Sequence, residues 1–141
     1  MIDIENLVFD TVYNQLHSQY LDLNITGGYD EKKAIYPAMI VRQTNSVPVE
    51  SMNTDDCGEN YTRVTFEVEV VSDKANTARS ECKTLLMAAD TVMQSMKFRR
   101  IHMNRPVNTD RTVYRQYARY EAIVGKPYEK DGNTIYPMYR R

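Results

Sequence analysis

Apolar residues recur along the chain with two different periods, and these periods predict two helices. Residues 4–20 repeat apolar side chains every three or four positions, as a helix with one buried face does, and Asp3 is placed to cap it. The segment KANTARSECKTLLMAADTVMQSMKF predicts a second helix, with Asn76 or Thr77 as its N-cap. Its apolar stripe consists of Ala78, Cys82, Leu85, Leu86, Ala89, Val92, Met93 and Met96.

Alternation of apolar and polar residues predicts the strands. The clearest is YTRVTFEVEVVSD, and a strand over residues 38–46 precedes it. Two further runs follow the second helix: FRRIHMNRPVNT and RTVYRQYARYEAIVGK. A turn near residues 108–110 would join them as an antiparallel hairpin. The order of elements predicts an α+β fold, a mainly antiparallel sheet of about four strands with two helices packed on one face.

The length of 141 residues fits a single domain spanning residues 1–141. Residues 47–60 are polar and contain Pro48 and Gly58, which predicts a flexible loop. Residues 127–141 predict an extended C-terminal tail with a turn at Asp131 and Gly132.

Charge and cysteine content exclude several classes of protein. The net charge of −1 gives no global basic field for binding nucleic acid. Two cysteines are too few for a disulfide framework and form no metal-binding spacing. No apolar run is long enough to span a membrane and Asp3 and Glu5 replace a cationic leader, so we expect a protein made in the cytoplasm with no membrane partner.

The sequence offers little catalytic chemistry. His17 and His102 lie in no recognised catalytic spacing, and no glycine-rich phosphate motif is present, so we expect no enzyme, no catalytic residue and no cofactor. Residues Asp55, Asp56 and Glu59 form an acidic cluster in the predicted loop. Their spacing departs from that of a calcium-binding loop, which favours a solvated acidic loop over a metal site.

The run RTVYRQYARYEAIVGK mixes β-formers with arginines, and neither of its two faces is a clean core. The chain has 11 tyrosines against 3 phenylalanines, and tyrosine and arginine are enriched at protein interfaces. The strand would then contact a neighbouring subunit. An ordinary solvent-facing strand fits the same pattern equally well. A nucleic-acid platform is a third interpretation, which the near-zero net charge disfavours.

Three phrases follow one another along the chain. The first is TRVTFEVEVVSDKANTARSECKTLLMAADTVMQSMKFRR, in which a strand leads into a helix that closes with MKFRR, and the others are NRPVNTDRTVYRQYARYEAIVGK and the final IYPMYRR. In this order they resemble the tail completion, or tail terminator, family of long-tailed bacteriophages and prophages, whose members also carry the name minor capsid protein. The resemblance covers roughly residues 35–141.

The resemblance implies a virion protein that acts without an active site. Such subunits form a hexameric ring at the head-proximal end of the tail tube, stop tube polymerisation and join the tail to the head connector. The implied partners are further copies of the chain, the tail tube protein, a connector or stopper protein and, in a contractile tail, the sheath protein. DNA would pass through the ring without specific binding. The ring would be assembled in the host cytoplasm.

On this interpretation, two groups of residues are candidates for the assembly. The subunit-interface candidates are Arg111, Tyr114, Arg115, Tyr117, Arg119, Tyr120, Tyr136, Tyr139, Arg140 and Arg141. The acidic cluster of Asp55, Asp56 and Glu59 would line the channel or face outward. A head-side neck protein, a stopper or adaptor bound to the portal, is the alternative function and is also small and ring-forming.

Overall fold

The computed structural model describes residues 2–21, 23–27, 37–49, 61–73, 77–104, 107–110 and 113–139. Two helices lie in these ranges, α1 (Glu5–His17) and α2 (Ala78–Ser95). The strands are β1 (Asn24–Thr26), β2 (Ala38–Pro48), β3 (Tyr61–Ser72), β4 (Arg99–Met103), β5 (Val107–Asp110), β6 (Val113–Gly125), β7 (Tyr128–Lys130), β8 (Asn133–Ile135) and β9 (Met138–Tyr139). The α+β class predicted from the sequence is confirmed.

The sheet is larger than predicted. Within the described ranges, seven strands form it in the order β1-β2-β3-β6-β4, with β5 and β9 also paired to β6. It is mostly antiparallel and curled, and the β1–β2 pair is parallel. The estimate of about four strands was too low because β1, β5 and β9 have at most four residues each, too few for alternation to be recognised.

Both helices pack against one face of this sheet. Each contributes an apolar stripe: α1 buries Val8, Val12 and Leu16, and α2 buries seven residues that all belong to the predicted stripe. The opposing sheet residues come from alternate positions of β2, β3 and β6, so that one face of each strand is core. This face is called the helix face below, and the other side of the sheet is called the open face.

The end of α2 determines where β4 begins. The N–H of Phe98 donates to the Met93 carbonyl (3.1 Å) and that of Lys97 donates to the Gln94 carbonyl (3.0 Å), the pattern of a Schellman cap. Lys97 takes the left-handed conformation that the cap requires, with φ of 70°. The chain therefore reverses at Lys97, buries Phe98 completely and enters β4 at Arg99 along the edge of the sheet.

Two predictions about connecting segments need correction. The turn predicted at residues 108–110 lies within β5, which pairs with β6. Val47 and Pro48, placed in the predicted loop, belong to β2, and the N–H of Val49 donates to the Tyr61 carbonyl at 2.9 Å; the rest of that loop, residues 50–60, lies outside the described residues. Within the predicted C-terminal tail, β7 and β8 form a hairpin whose turn is at Asp131 and Gly132, as predicted, and β9 pairs with β6.

Candidate subunit-interface site

Strand β6 carries five of the ten predicted interface residues, and its two faces have different environments. On the helix face, Gln116, Ala118, Tyr120, Ala122 and Val124 are all buried. The expectation that neither face of this strand is a clean core is therefore wrong for the helix face. Tyr114 lies on the same face, half-buried against the core.

Tyr120 belongs to the core of its own chain, which corrects its prediction as a residue that contacts a neighbour. It is 0% exposed, and its hydroxyl donates to Asp90 Oδ1 on α2 at 2.7 Å. Burial, followed by this hydrogen bond and the Asp90 charge, raises the pKa of Tyr120 far above its usual range, while Arg100 opposes the shift. The hydroxyl therefore stays protonated and links β6 to α2.

Asp90 accepts from two further side chains. Gln94 Nε2 donates to its Oδ2 at 2.7 Å, and Arg100 Nη1 on β4 lies 3.4 Å from its Oδ1. One half-buried carboxylate thus connects α2 with both β6 and β4, and it holds the edge strand against the helix.

On the open face, arginines pair with glutamates within the chain. Arg42 contacts Glu67 at 2.9 Å and Arg115 contacts Glu69 at 3.2 Å, which places β2 and β6 side chains over the two glutamates of β3. Glu67 and Glu69 are only 7% and 6% exposed as a result. Arg115, a predicted interface residue, thus already has a partner in its own chain.

A second group on the open face shares Glu121. Its Oε1 lies 3.3 Å from Arg63 and 3.9 Å from Arg99. Both arginines are about half exposed, so solvent screens these pairs and each contributes little to stability.

Tyr117 and Arg119, both predicted as interface residues, lie together on the open face. The Arg119 guanidinium lies 5.2 Å from the centre of the Tyr117 ring, and the His102 ring lies 5.7 Å from it on the other strand. Arg119 is exposed and Tyr117 is half-buried. This group is accessible to another molecule in a way that Tyr120 is not.

The two described C-terminal candidates, Tyr136 and Tyr139, lie beside the end of β6. The Tyr139 ring is 6.0 Å from that of Tyr61 and remains 46% exposed, while Tyr136 is half-buried against the core. Gly125 N–H donates to the Pro137 carbonyl at 2.7 Å, and a Cβ at Gly125 would lie 3.4 Å from the proline ring. Six candidates fall outside the described residues: Asp55, Asp56, Glu59, Arg111, Arg140 and Arg141.

The structure reveals a surface that the sequence did not suggest. All five residues of β4 are exposed, including Ile101 (43%) and Met103 (44%), and Met87 on the adjacent helix is 60% exposed. Within the part of the chain that the structure describes, no strand pairs with the outer side of β4. In the sequence, this surface corresponds to the short run RRIHM. Its apolar residues would be buried in a central strand, so the run alone does not identify an exposed edge.

A cleft of about 240 Å³ opens beside this edge, between α2, β4 and β6. Leu86, Met87 and Met103 give it apolar walls, and Lys83 and Arg100 also line it. Gln116 lies in the same lining and is 4% exposed. Its Nε2 donates to the Asn104 carbonyl at 3.2 Å, whereas its Oε1 is buried and receives no hydrogen bond from the described residues.

Neither metal binding nor membrane insertion finds support among the described residues. No group of three or more His, Cys, Asp or Glu side chains is close enough there to hold a metal ion. No helix in the same ranges is both long and apolar enough to cross a membrane. A comparison with models of known protein families and with curated proteins finds no match for this chain.

Proposed function

We propose that this protein is a structural subunit that assembles into a ring at the head-proximal end of a bacteriophage tail tube. There it would stop tube polymerisation and join the tail to the head connector. The proposal takes its biological setting from the resemblance to the tail terminator family, and the α+β fold agrees with what that resemblance implies.

The observation that carries the proposal is the exposed edge strand β4. Strand β4 has five residues and carries Arg99 and Arg100, two features that discourage pairing with the edge of another sheet. Ile101, Met103 and Met87 are nevertheless each more than 40% exposed, and exposed apolar residues that lie close together mark interaction surfaces. A protein whose function is to assemble has a reason to keep this edge accessible.

The open face supplies candidates for the axial contacts of the ring. Tyr117, Arg119 and Tyr139 are accessible there and belong to residue types enriched at interfaces. We assign them to contacts with the tube protein, the connector or stopper, or the sheath of a contractile tail. DNA would pass through the ring without specific binding.

The mass of the purified protein in solution tests this proposal, measured by native mass spectrometry alone and with its tail tube protein. We expect a hexamer, formed either alone or on the end of tubes, and tubes of defined length when the protein is present. A monomer that does not bind tail tubes but binds a portal ring would instead place the protein on the head side of the neck, as a stopper or adaptor.

A further inference from the structure

We propose that copies of this protein associate head to tail, the β4 end of one subunit binding the outer face of α1 on the next. This inference rests on the proposed ring and names the lateral contact within it. It follows from the charge and apolar exposure of two surfaces at opposite ends of the fold.

The first surface, the basic end, surrounds the cleft beside β4. Met87 and Met103 line the cleft together with Lys83, Arg100 and Asp90, and Ile101 and Arg99 lie next to it on β4. From Lys97 to Asn104 the chain contains no acidic residue. Asp90 in the cleft lining contacts Arg100, and Glu121 on β6 contacts Arg99, so Lys83 is the exposed cation of this surface that lies outside these two pairs.

The second surface, the acidic end, is the outer face of α1. Leu7, Asp10 and Tyr13 are three residues apart, which makes them neighbours on one side of a helix. Leu7 is 43% exposed, Tyr13 is 37% exposed and Asp10 is exposed. Asp3 and Glu5 add negative charge at the start of the helix, and no lysine or arginine occurs in residues 1–31.

The two surfaces lie at opposite ends of the domain. Helix α1 packs over β2, near the β1 side of the sheet, whereas α2 packs over β3, β6 and β4. The acidic end would repel a second copy of itself, and Lys83 would repel the Lys83 of another copy, which disfavours a two-fold symmetric contact through either surface. A contact between two different surfaces of the same chain repeats from copy to copy and closes into a ring when the rotation allows.

The cleft provides a specific feature for the incoming helix. Its accessible walls are apolar, and Gln116 lies behind them with a buried Oε1 that lacks a donor among the described residues. A tyrosine offers an apolar ring with a hydroxyl donor at its tip, the chemistry that such a cleft accepts. Tyr13 is the exposed tyrosine on α1, and its ring already stacks on His17 at 4.8 Å and on Phe9 at 6.2 Å, which limits its freedom before binding.

Reciprocal charge reversal tests the contact. Asp10→Lys and Lys83→Glu both change exposed helix residues, so the fold should persist, which circular dichroism checks. Each variant alone should weaken self-association at least about tenfold, since like charges are brought together at the interface. An equimolar mixture of the two variants should recover the wild-type mass, because in an alternating ring every contact again joins a lysine to a carboxylate.

Lys126→Glu and Glu129→Lys serve as matched controls, since they make the same charge changes at exposed positions in and near β7. They should leave association unchanged. A wild-type ring that both single variants preserve would overturn the head-to-tail contact and leave the proposed function standing. A wild-type protein that stays monomeric alone and with tube protein would overturn both. Recovery by mixing, without binding to tubes, would support this contact and contradict the tail function.

Discussion

Tyr120 and Tyr117 lie three residues apart on β6 and represent two different regions of the molecule. Tyr120 faces the helices, is fully buried and donates its hydroxyl to Asp90. Tyr117 faces the open side, where Arg119 and His102 lie beside its ring. The same residue type thus stabilises the subunit on one face and is left accessible on the other.

The difference extends to the whole sheet. On the helix face, alternate positions of the central strands are apolar and buried, so packing and desolvation dominate their energetics. On the open face, charged side chains pair across strands. The pairs of Arg63 and Arg99 with Glu121 are partly exposed and screened by solvent, whereas Glu67 and Glu69 are nearly buried beneath Arg42 and Arg115. Packing on the helix face therefore determines the fold, whereas side chains on the exposed surfaces can make contacts with other subunits.

The largest contrast should come from truncating one aromatic residue in each region. Phe66 and Phe98 are both 0% exposed and their rings meet edge to face at 5.5 Å. Phe66→Ala should lower the free energy of unfolding by about 3–5 kcal/mol through lost burial and a cavity. Ile101→Ala, at 43% exposure, should cost less than about 1 kcal/mol. Urea unfolding followed by circular dichroism measures both, and equal losses would contradict the comparison.

A smaller effect should appear in the pH dependence of stability, through a thiol on the helix face. Cys82 is 0% exposed, with its Sγ 3.5 Å from the Tyr114 carbonyl and 3.7 Å from that of Val70. Burial, together with the Glu81 charge, raises the pKa of this thiol to about 11 from 9.0, and the Ser72 backbone opposes the shift. The folded state therefore favours the protonated thiol, and the stability this contributes is lost as pH rises from 9 towards 11.

Comparison with Cys82→Ala isolates this contribution. Between pH 8 and pH 10, the wild type should lose on the order of 1 kcal/mol more unfolding free energy than the variant, because its thiol titrates at higher pH in the folded state than in the unfolded state. Cys57 is common to both proteins, so its titration cancels in the difference. Parallel pH profiles for the two proteins would show that the Cys82 thiol titrates alike in the folded and unfolded states.

How much of the fold could be predicted from the sequence depends on the length of each hydrophobic pattern. The stripe of α2 was predicted correctly because an 18-residue helix repeats its period several times, and β3 alternates over 12 residues. The three-residue β1 and the two-residue β9 offer no such repetition, and they are formed by pairing with β2 and β6.

The candidate site was harder to predict, for a different reason. On β6 the helix face includes Tyr114 and Gln116, whose residue types do not distinguish core from surface. The partner of Tyr120 is Asp90, 30 residues away, a contact that exists only in the tertiary structure. Likewise, Ile101 and Met103 are exposed because β4 falls at the end of the strand order, which local periodicity does not encode.

The smallest expected effects come from removing the hydroxyl oxygen of Tyr120 or of Tyr117. Tyr120→Phe deletes the hydroxyl that donates to Asp90, but this carboxylate keeps contacts with Gln94 and Arg100. We expect a loss of about 1 kcal/mol in unfolding free energy, near the middle of the range for one hydrogen bond. Tyr117→Phe retains the ring that contacts Arg119 and His102, and it should change stability by less than about 0.5 kcal/mol.

The same pair of variants separates stability from assembly when association is measured beside unfolding. Tyr120→Phe should leave binding to the tube protein unchanged, because its ring has no exposed surface. Tyr117→Phe should leave stability nearly unchanged but weaken that binding if the hydroxyl contacts the partner, as our assignment of the open face to axial contacts implies. A Tyr120→Phe protein that folds normally yet no longer binds tubes would show that the helix face, and not the open face, governs assembly.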